Sequence, residues 1–449
     1  MLSGKLSVTA GTPSVPAGIP GAPTAKTLRP GAQSFRNSGW LPKSKEAFDK
    51  FLLDLTKTIL TPIYSRGIPT LLPPVQEFKD FIENDPTVFL EFNRMFDKIP
   101  NTEHPNNHVD LVHMFNEIFR TAPDFGSLGP PVYMIMANIM NSEGGFSAFT
   151  KDKLNFHFKK MFETWTLYLT SKDSRSVLHT GPNGWFCSTA LDAMTKEFPG
   201  RTFDQVFICD TSADYYGYTS FEDFFNRRFR EPQTDRPTGP IDDLRLISAA
   251  CESTSYAYQE NVKRSDPLFI KDEAYSLVHL LADNYVDIFE GGTILQGFLN
   301  TTSYHRWHAP VNGTIRKIVD VPGTYFAQAP YTIGMSTDDD DEAPPYLKSL
   351  RFFANTAARQ LIFIEADNSQ LGLMCFIAIG MTEISTCQAT VYEGQQVKRG
   401  DELGMFHFGG SSSALVFRKA AGVQVDGQYK VPEAALKINV PIATVSLPV

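Results

Sequence analysis

Two residues that could react with each other stand side by side near the end of the chain, Gly410 and Ser411. They belong to a turn rich in glycine and serine, and the apolar runs 405–408 and 414–417 on either side are predicted to be short strands. The hydroxyl of Ser411 can attack the carbonyl carbon of Gly410 and move the acyl group from nitrogen to oxygen. β-Elimination of this ester releases the upstream chain and leaves a dehydroalanine, which tautomerises and hydrolyses to an N-terminal pyruvoyl group. Taken by themselves, however, these residues favour an ordinary structural turn.

Two histidines three residues apart form the second stretch that could do chemistry. His305 and His308 lie in the segment 304–310, which ends in Ala-Pro and therefore disfavours a continuing helix. An imidazole suits the removal of a proton from a serine hydroxyl near neutral pH, and a second imidazole could move a proton in a later step. On its own the pair favours two structural histidines, so its chemistry depends on what lies nearby.

The remaining polar residues predict neither a metal site nor a disulfide framework. His104 and His108 are four residues apart, but no acidic residue or cysteine stands in register with them. The five cysteines are odd in number and widely spaced, which indicates a reducing compartment and predicts a cytoplasmic protein. The net charge of −9 argues against a nucleic-acid partner. No apolar run approaches the length of about 18 residues that an integral membrane segment needs.

The elements that must position the reactive residues fall into a helical half and a β-rich half. Residues 1–40 are rich in Pro, Gly, Ser and Ala and are predicted to be disordered. Between residues 41 and 175, apolar residues recur at helical spacing, as at Phe48, Phe51 and Leu52. This spacing predicts a helical N-terminal domain whose Phe- and Met-rich stripes form its core.

Residues 176–240 are expected to connect the two halves. Within them Ser220 fits the N-cap of a helix, and Arg227 and Arg228 would be charges at the end of that helix. Beyond residue 240, β-branched and aromatic runs bounded by Gly, Pro, Asn or Asp predict strands, so 241–449 is interpreted as a mainly β domain. The predicted fold class is therefore α+β, a helical N-terminal domain followed by a mainly β domain.

Several separate motifs together resemble the phosphatidylserine decarboxylase family. They occupy residues 220–229, 304–310, 322–325, 393–404 and 406–417, in that order along the chain. The resemblance implies a catalytic domain over the β-rich half that cleaves itself between Gly410 and Ser411. It also implies that the cofactor is a pyruvoyl group made from Ser411, that the substrate amine forms a Schiff base with its ketone, and that pyridoxal phosphate is not needed.

The resemblance also assigns roles to individual side chains. Ser411 matches the serine that becomes the pyruvoyl group, His308 the histidine of the self-cleavage triad, and His305 the histidine implicated in decarboxylation. The aspartate of that triad usually lies in a Ser-Pro-Ala-Asp stretch, where this chain has Cys251 followed by Glu252. Glu252 could orient His308 from one residue further along, or another carboxylate could do so.

The helical half narrows the expected substrate, because it is similar to that of a fungal branch of the family that decarboxylates a free aromatic amino acid. The expected reaction converts L-tryptophan into tryptamine and carbon dioxide, with the two cleaved chains staying associated. Two alternatives stay open. One is a phosphatidylserine decarboxylase that makes phosphatidylethanolamine. The other is a non-catalytic β-rich binding protein in which the Gly-Ser bond and the paired histidines coincide by chance.

Overall fold

The computed structural model describes residues 45–66, 70–97, 105–125, 130–265, 275–334, 347–383, 386–408 and 411–447. The segment 1–40, predicted to be disordered, lies outside these ranges, and so does Gly410. Within the described ranges helices come first and strands follow, which confirms the α+β fold class. No helix in these ranges combines the length and the apolar character that crossing a bilayer requires.

The N-terminal helices form where apolar residues recur at helical spacing. They are α1 (Lys45–Arg66), α2 (Pro73–Asn84), α3 (Pro86–Phe96), α4 (His108–Ile118), α5 (Pro131–Met140), α6 (Glu143–Phe149) and α7 (Asp152–Leu169). Helices α2, α3 and α5 begin with proline, whose fixed φ suits a first turn. Asp85 caps α3, because its carboxylate accepts hydrogen bonds from the backbone N–H groups of Thr87 (3.0 Å) and Val88 (3.2 Å).

Phenylalanine rings fill the space between these helices, and they continue into the β-rich half. Phe78, Phe115 and Phe158 are fully buried, which confirms that the Phe-rich stripes are core residues. The ring centroid of Phe158 lies 5.3 Å from that of Phe78 and 4.8 Å from that of Phe326. Because Phe326 comes from the β-rich half, one aromatic core spans both halves, and each such ring pair contributes about 0.5–1.5 kcal/mol beyond its area burial.

Short helices occupy the region between the two halves. They are α8 (Ser188–Thr195), α9 (Phe203–Val206), α10 (Phe221–Phe225) and α11 (Pro232–Asp235). Ser220 caps α10 as predicted, since its Oγ accepts a hydrogen bond from the N–H of Asp223 at 3.0 Å. The interpretation of Arg227 as a helix-end charge is wrong. Its guanidinium is buried beyond the end of α10, donates to the carbonyl oxygen of Thr302 at 2.6 Å, and lies over the ring of Phe207.

The β-rich half consists of antiparallel strands and three further short helices. The strands are β1 (Leu246–Ser248), β2 (Ser253–Glu260), β3 (Thr293–Phe298), β4 (Arg306–His308), β5 (Gly313–Val321), β6 (Arg359–Ala366), β7 (Leu373–Ile379), β8 (Cys387–Ala389), β9 (Gln396–Val397), β10 (Glu402–Phe406), β11 (Ser412–Phe417), β12 (Gln424–Val425), β13 (Ala435–Leu436) and β14 (Pro441–Thr444). The helices are α12 (Leu277–Leu280), α13 (Val286–Phe289) and α14 (Leu350–Thr356). The largest sheet has the strand order β13-β2-β3-β11-β7-β6-β5-β9, and two smaller sheets have the orders β1-β14-β12 and β4-β10-β8.

Strand β11 lies inside the largest sheet and is paired along its whole length on both sides. Ser412 stands opposite Phe298 of β3 and Ile379 of β7, and the pairing continues in step to Phe417. All six residues of β11 are buried. The preceding strand, β10, belongs to a different sheet, so residues 407–411 carry the chain from one sheet into the other. The fold thus places Ser411 where the chain enters the largest sheet.

Gly323, in the motif 322–325, provides a test of how closely that motif approaches the end of α14. A Cβ atom at this position would come within 2.4 Å of the carbonyl oxygen of Thr356 and the carbonyl carbon of Ala357. We expect Gly323→Ala to lower the free energy of unfolding by about 1–3 kcal/mol, measured by urea denaturation. Gly427→Ala is the matched control, because nothing lies within 4 Å of the Cβ position there. Equal stability of the two variants would contradict the close approach.

Candidate active site around Ser411

Ser411 stands immediately before β11, with its backbone fixed and its hydroxyl uncommitted. The residue is fully buried, and its Oγ has no hydrogen-bond partner within the described residues. Its carbonyl oxygen accepts a hydrogen bond from the N–H of Leu299 at 2.7 Å. The neighbouring hydroxyl differs, since Ser412 Oγ donates to the carbonyl oxygen of Gly297 at 2.9 Å and accepts from Gln296 Nε2 at 2.8 Å. The hydroxyl that would attack the preceding carbonyl is therefore the one that the fold leaves available.

His305 lies against the chain segment that leads to the scissile bond. Its ring is buried and stacks on the ring of Phe225, with 4.2 Å between the centroids. Its carbonyl oxygen accepts a hydrogen bond from the N–H of Phe406, the last residue of β10, at 3.0 Å. Phe408 contacts the same Phe225 ring at 5.3 Å. The structure thus brings His305 to the residues just before Gly410.

His308 is held by hydrogen bonds at both ring nitrogens. Nδ1 lies 2.8 Å from Asn439 Oδ1, and Nε2 lies 3.1 Å from the hydroxyl oxygen of Tyr304. Because an amide oxygen only accepts, Nδ1 carries the proton, and Nε2 is the basic nitrogen that accepts from Tyr304. Burial lowers the pKa of His308 below its ordinary value, although the bond to Asn439 acts in the opposite direction. The imidazole is therefore kept neutral and able to accept a proton.

Asn439, which the sequence interpretation missed, occupies the place next to His308 where a triad carboxylate was expected. It is buried, and its backbone has a left-handed φ of 69°, a conformation that Asn tolerates better than most residues. Its N–H donates to the carbonyl oxygen of Ala249 at 2.9 Å, which fixes the side chain beside the imidazole. Nothing in the local sequence marks this residue, because it lies 131 positions from His308.

Glu252 does not contact His308 and binds two other groups. Its carboxylate accepts from the guanidinium of Arg236 at 2.9 Å and from the N–H of Ile438 at 3.0 Å. Since Ile438 precedes Asn439, the structure connects Glu252 to the imidazole only through the backbone of that segment. Cys251 cannot replace the missing aspartate, because burial raises the pKa of its thiol to about 12 and keeps it neutral.

A second missed residue, Glu222 of α10, fastens the segment before the scissile bond. Its buried carboxylate lies 2.9 Å from Nδ1 of His407 and accepts from Asn226 Nδ2 at 2.6 Å. The other ring nitrogen of His407, Nε2, lies 2.8 Å from Gln388 Oε1. In the sequence, Glu222 is an acid in the first turn after the predicted cap Ser220, a position that by itself indicates only a favourable charge.

The helical half contacts the same segment directly. The indole of Trp165, on α7, packs against the ring of Phe408 at 5.6 Å between centroids. Phe162, one turn earlier on α7, packs against Tyr325 of the 322–325 motif at 5.3 Å. Within the described ranges, no group of three or more His, Cys, Asp or Glu side chains is arranged to hold a metal ion. The polar groups described around Ser411 are hydroxyl, imidazole, amide and carboxylate groups, and aromatic rings lie beside them.

The role of Asn439 can be tested through the pKa of His308. Removing its side chain with Asn439→Gly, which keeps the left-handed backbone accessible, should lower that pKa further, because a hydrogen bond that favours the charged ring is lost. Asn439→Asp should raise it, because a carboxylate stabilises the imidazolium. An NMR titration of labelled histidines measures both shifts. Asn261→Asp, at an exposed asparagine that also has positive φ, is the control and should leave His308 unchanged.

The chain is similar to known proteins over most of its length. Two family profiles, both described as phosphatidylserine decarboxylase, match residues 72–194 and 221–437. An L-tryptophan decarboxylase of Psilocybe cyanescens is 57% identical over 428 residues, which cover 94% of this chain and 97% of that protein. An L-tryptophan decarboxylase of Psilocybe cubensis is 54% identical over 426 residues, covering 93% and 96%. A decarboxylase of Amanita muscaria (strain Koide BX008) is 40% identical over 297 residues, covering 64% and 84%.

Proposed function

Because the chain belongs to the phosphatidylserine decarboxylase family, we propose that it is a pyruvoyl-dependent enzyme that converts L-tryptophan into tryptamine and carbon dioxide. The observation that carries this proposal is the identity of more than half the residues with two L-tryptophan decarboxylases over almost their full lengths. The geometry around Ser411 agrees with it, since a buried, uncommitted hydroxyl stands at the expected point of cleavage. A cytoplasmic location stays a prediction.

Self-cleavage is the first step in this proposal. The Ser411 hydroxyl adds to the carbonyl carbon of Gly410, the C–N bond breaks, and an ester forms. Loss of the Cα proton of Ser411 then breaks the bond between Cβ and the ester oxygen, so Gly410 leaves as a carboxylate. The dehydroalanine that remains tautomerises to an imine, which water hydrolyses with release of ammonia. The reaction requires a base at Ser411 and no external reagent other than water.

His308 is the base that we assign to this step, with Asn439 as the residue that orients it. Its lowered pKa keeps the ring neutral, and its tautomer leaves Nε2 basic. To take the Ser411 proton, Nε2 must exchange the Tyr304 hydroxyl, now 3.1 Å away, for that of Ser411. Glu252 supports the arrangement by holding the N–H of Ile438 beside Asn439. In this assignment Glu252 is a positioning residue.

Ser411, once converted, would supply a ketone that condenses with the substrate amine and accepts the electron pair left by carbon dioxide. The site fits such a group, because residue 411 is buried and its backbone is fixed by Leu299. We assign His305 to proton transfer at the substrate Cα. The stacking of its ring on Phe225 fixes its orientation and keeps water from one face.

The two chains are expected to stay together after cleavage. The segment that begins at Ser411 contributes β11, which is paired with β3 on one side and β7 on the other. It also contributes β13, paired with β2, and β14, paired with β1. Breaking one peptide bond at the start of β11 leaves all of these pairings in place. The small chain is thus part of the sheet that forms the site.

An aromatic substrate is supported by the contact between the helical half and the site. Trp165 of α7 packs on Phe408, two residues before Gly410, so apolar side chains of the helical half border the reacting segment. An indole buried against such a wall contributes on the order of 2–3 kcal/mol. That contribution corresponds to a preference of tens- to hundredfold over a small amino acid. Phosphatidylserine is the competing substrate, because the matching family profiles carry its name.

The cleavage proposal predicts a mature protein of two chains, 1–410 and 411–449. Intact-mass analysis of the purified active protein should show both, and Ser411→Ala should give one inactive full-length chain. His308→Ala should block cleavage, because the base is lost, whereas His305→Ala should permit cleavage and lower kcat. Active protein that consists only of the full-length chain would contradict the mechanism. Equal cleavage of the two histidine variants would contradict the division of roles.

The substrate proposal predicts a higher kcat/KM for L-tryptophan than for L-serine, by tens- to hundredfold. Release of carbon dioxide from each amino acid in solution measures this ratio. Turnover of phosphatidylserine in vesicles, assayed with the same preparation, should be slower than turnover of tryptophan. Faster lipid turnover, or no preference for the aromatic amino acid, would replace this proposal with the phospholipid reaction.

A further inference from the structure

Two chain connections cross between the same pair of sheets beside the Gly410–Ser411 bond. Residues 407–411 lead from β10 to β11, and residues 380–386 lead from β7 to β8. Since β7 pairs with β11 and β8 pairs with β10, the second connection accompanies the first. They meet at both ends, where Ile379 stands opposite Ser412 and the N–H of His407 donates to the carbonyl oxygen of Thr386 at 3.0 Å. An interaction that restrains residues 380–386 is therefore also expected to restrain the position of the segment that contains the reacting bond.

Glu383, within this second connection, is bound to the helical half. One carboxylate oxygen, Oε1, accepts from the N–H of Val132 at 2.8 Å, and Oε2 accepts from the N–H of Tyr133 at 3.1 Å. Both groups belong to the first turn of α5, which has no hydrogen bond from the side chain of its own N-cap residue. A carboxylate at this end satisfies amides that would otherwise lack partners and complements the helix dipole. Glu383 thus caps α5, although it lies 250 positions from Tyr133 in the sequence.

The environment of Glu383 makes this contact unusual. The side chain is only 4% exposed, and within the described part of the chain no basic side chain pairs with it. Burial raises the pKa of Glu383 to about 7, although the helix amides act in the opposite direction. A buried acid without a counter-ion costs stability unless its hydrogen bonds compensate. The catalytic roles assigned above do not use this residue, so its position requires a separate explanation.

We propose that Glu383 is a positioning residue that fastens α5 to the 380–386 connection and thereby sets how the helical half meets the reacting segment. Its effect extends to both self-cleavage and binding of the aromatic substrate, so this inference rests on the proposed function and deepens it. Tyr133, Met134 and Ile135, at and after the anchored amides, are buried apolar side chains. Movement of α5 would therefore shift buried apolar surface.

The test compares Glu383→Ala and Glu383→Gln with the wild-type full-length chain. The time course of cleavage is followed by intact mass, and kcat and KM for L-tryptophan are measured on the cleaved fraction. We expect Glu383→Ala to slow cleavage and to raise KM, each by roughly ten- to a hundredfold, the effect of losing hydrogen bonds to a carboxylate. Glu383→Gln retains one carbonyl acceptor and should fall between Glu383→Ala and the wild type. The kcat of the cleaved fraction should change less than KM.

Asp85→Ala is the matched control. Asp85 likewise caps a helix, α3, but through a single carboxylate oxygen that accepts from two first-turn amides, and its bonds stay within the helical half. It should lose comparable stability in thermal unfolding while cleavage and KM remain those of the wild type. Wild-type cleavage and KM in Glu383→Ala would overturn the proposal. Equal impairment in Asp85→Ala would also overturn it, because general destabilisation would then explain both variants.

A readout that needs no catalysis separates this proposal from the proposed function. In the Ser411→Ala background, hydrogen exchange should become faster in peptides covering α5 and residues 405–408 when Glu383→Gln is added, and should stay unchanged in β2. Unchanged exchange in α5 would refute the anchor even if the enzyme decarboxylates tryptophan. If the protein without the Ser411→Ala change proves unable to cleave itself, faster exchange in α5 would still support the anchor, while the catalytic proposal would be refuted. If Glu383→Ala does not fold, the same measurements on Glu383→Gln decide.

Discussion

The double-sided pairing of β11 is the constraint on which the rest of the site depends. A strand hydrogen-bonded to β3 and β7 along its entire length cannot slide or rotate, so the residue just before it has a fixed position. That residue is Ser411, whose carbonyl is held while its hydroxyl has no partner among the residues that the structure describes. A buried polar group without a hydrogen-bond partner costs free energy, and such a group usually has a functional reason. The sheet thus fixes the backbone and leaves one side chain for chemistry.

The crossing between sheets requires support from outside the β-rich half. His407, Phe408 and Ser411 lie between β10 and β11 and belong to neither strand. Glu222 holds His407, Trp165 packs on Phe408, and Phe225 packs on both Phe408 and His305. These contacts come from helices α7 and α10, which precede the strands in the sequence. Trp165 belongs to the helical half, whereas Glu222 and Phe225 belong to α10 in the region between the halves. The segment before Ser411 is therefore packed by elements from outside the sheets.

The sequence contained enough to predict local features and too little to predict distant partners. Strands around the Gly-Ser turn, the cap at Ser220 and the aromatic core follow from residue type and spacing, and the structure has them. Asn439 and Glu383 could not be found in this way, since they bind groups 131 and 250 positions away. Arg227 was misread for the same reason, because its carbonyl partner lies 75 positions along the chain. The spacing of apolar residues predicts which face of a helix or strand is buried, but not which residue that face contacts.

Strands β11, β13 and β14 all follow Ser411 in the chain and lie in two different sheets. Cleavage would therefore affect how the molecule regains its structure after unfolding. In the uncleaved chain these strands reach their partners as parts of one polymer, at a high effective concentration. Cleavage at Gly410 would turn the same encounter into an association between two molecules, so regain of structure after unfolding would depend on protein concentration. The uncleaved precursor would regain its fold in a unimolecular reaction at any dilution, whereas the mature form would lose stability as it is diluted. At low protein concentration the mature form would then last only as long as its two chains take to separate.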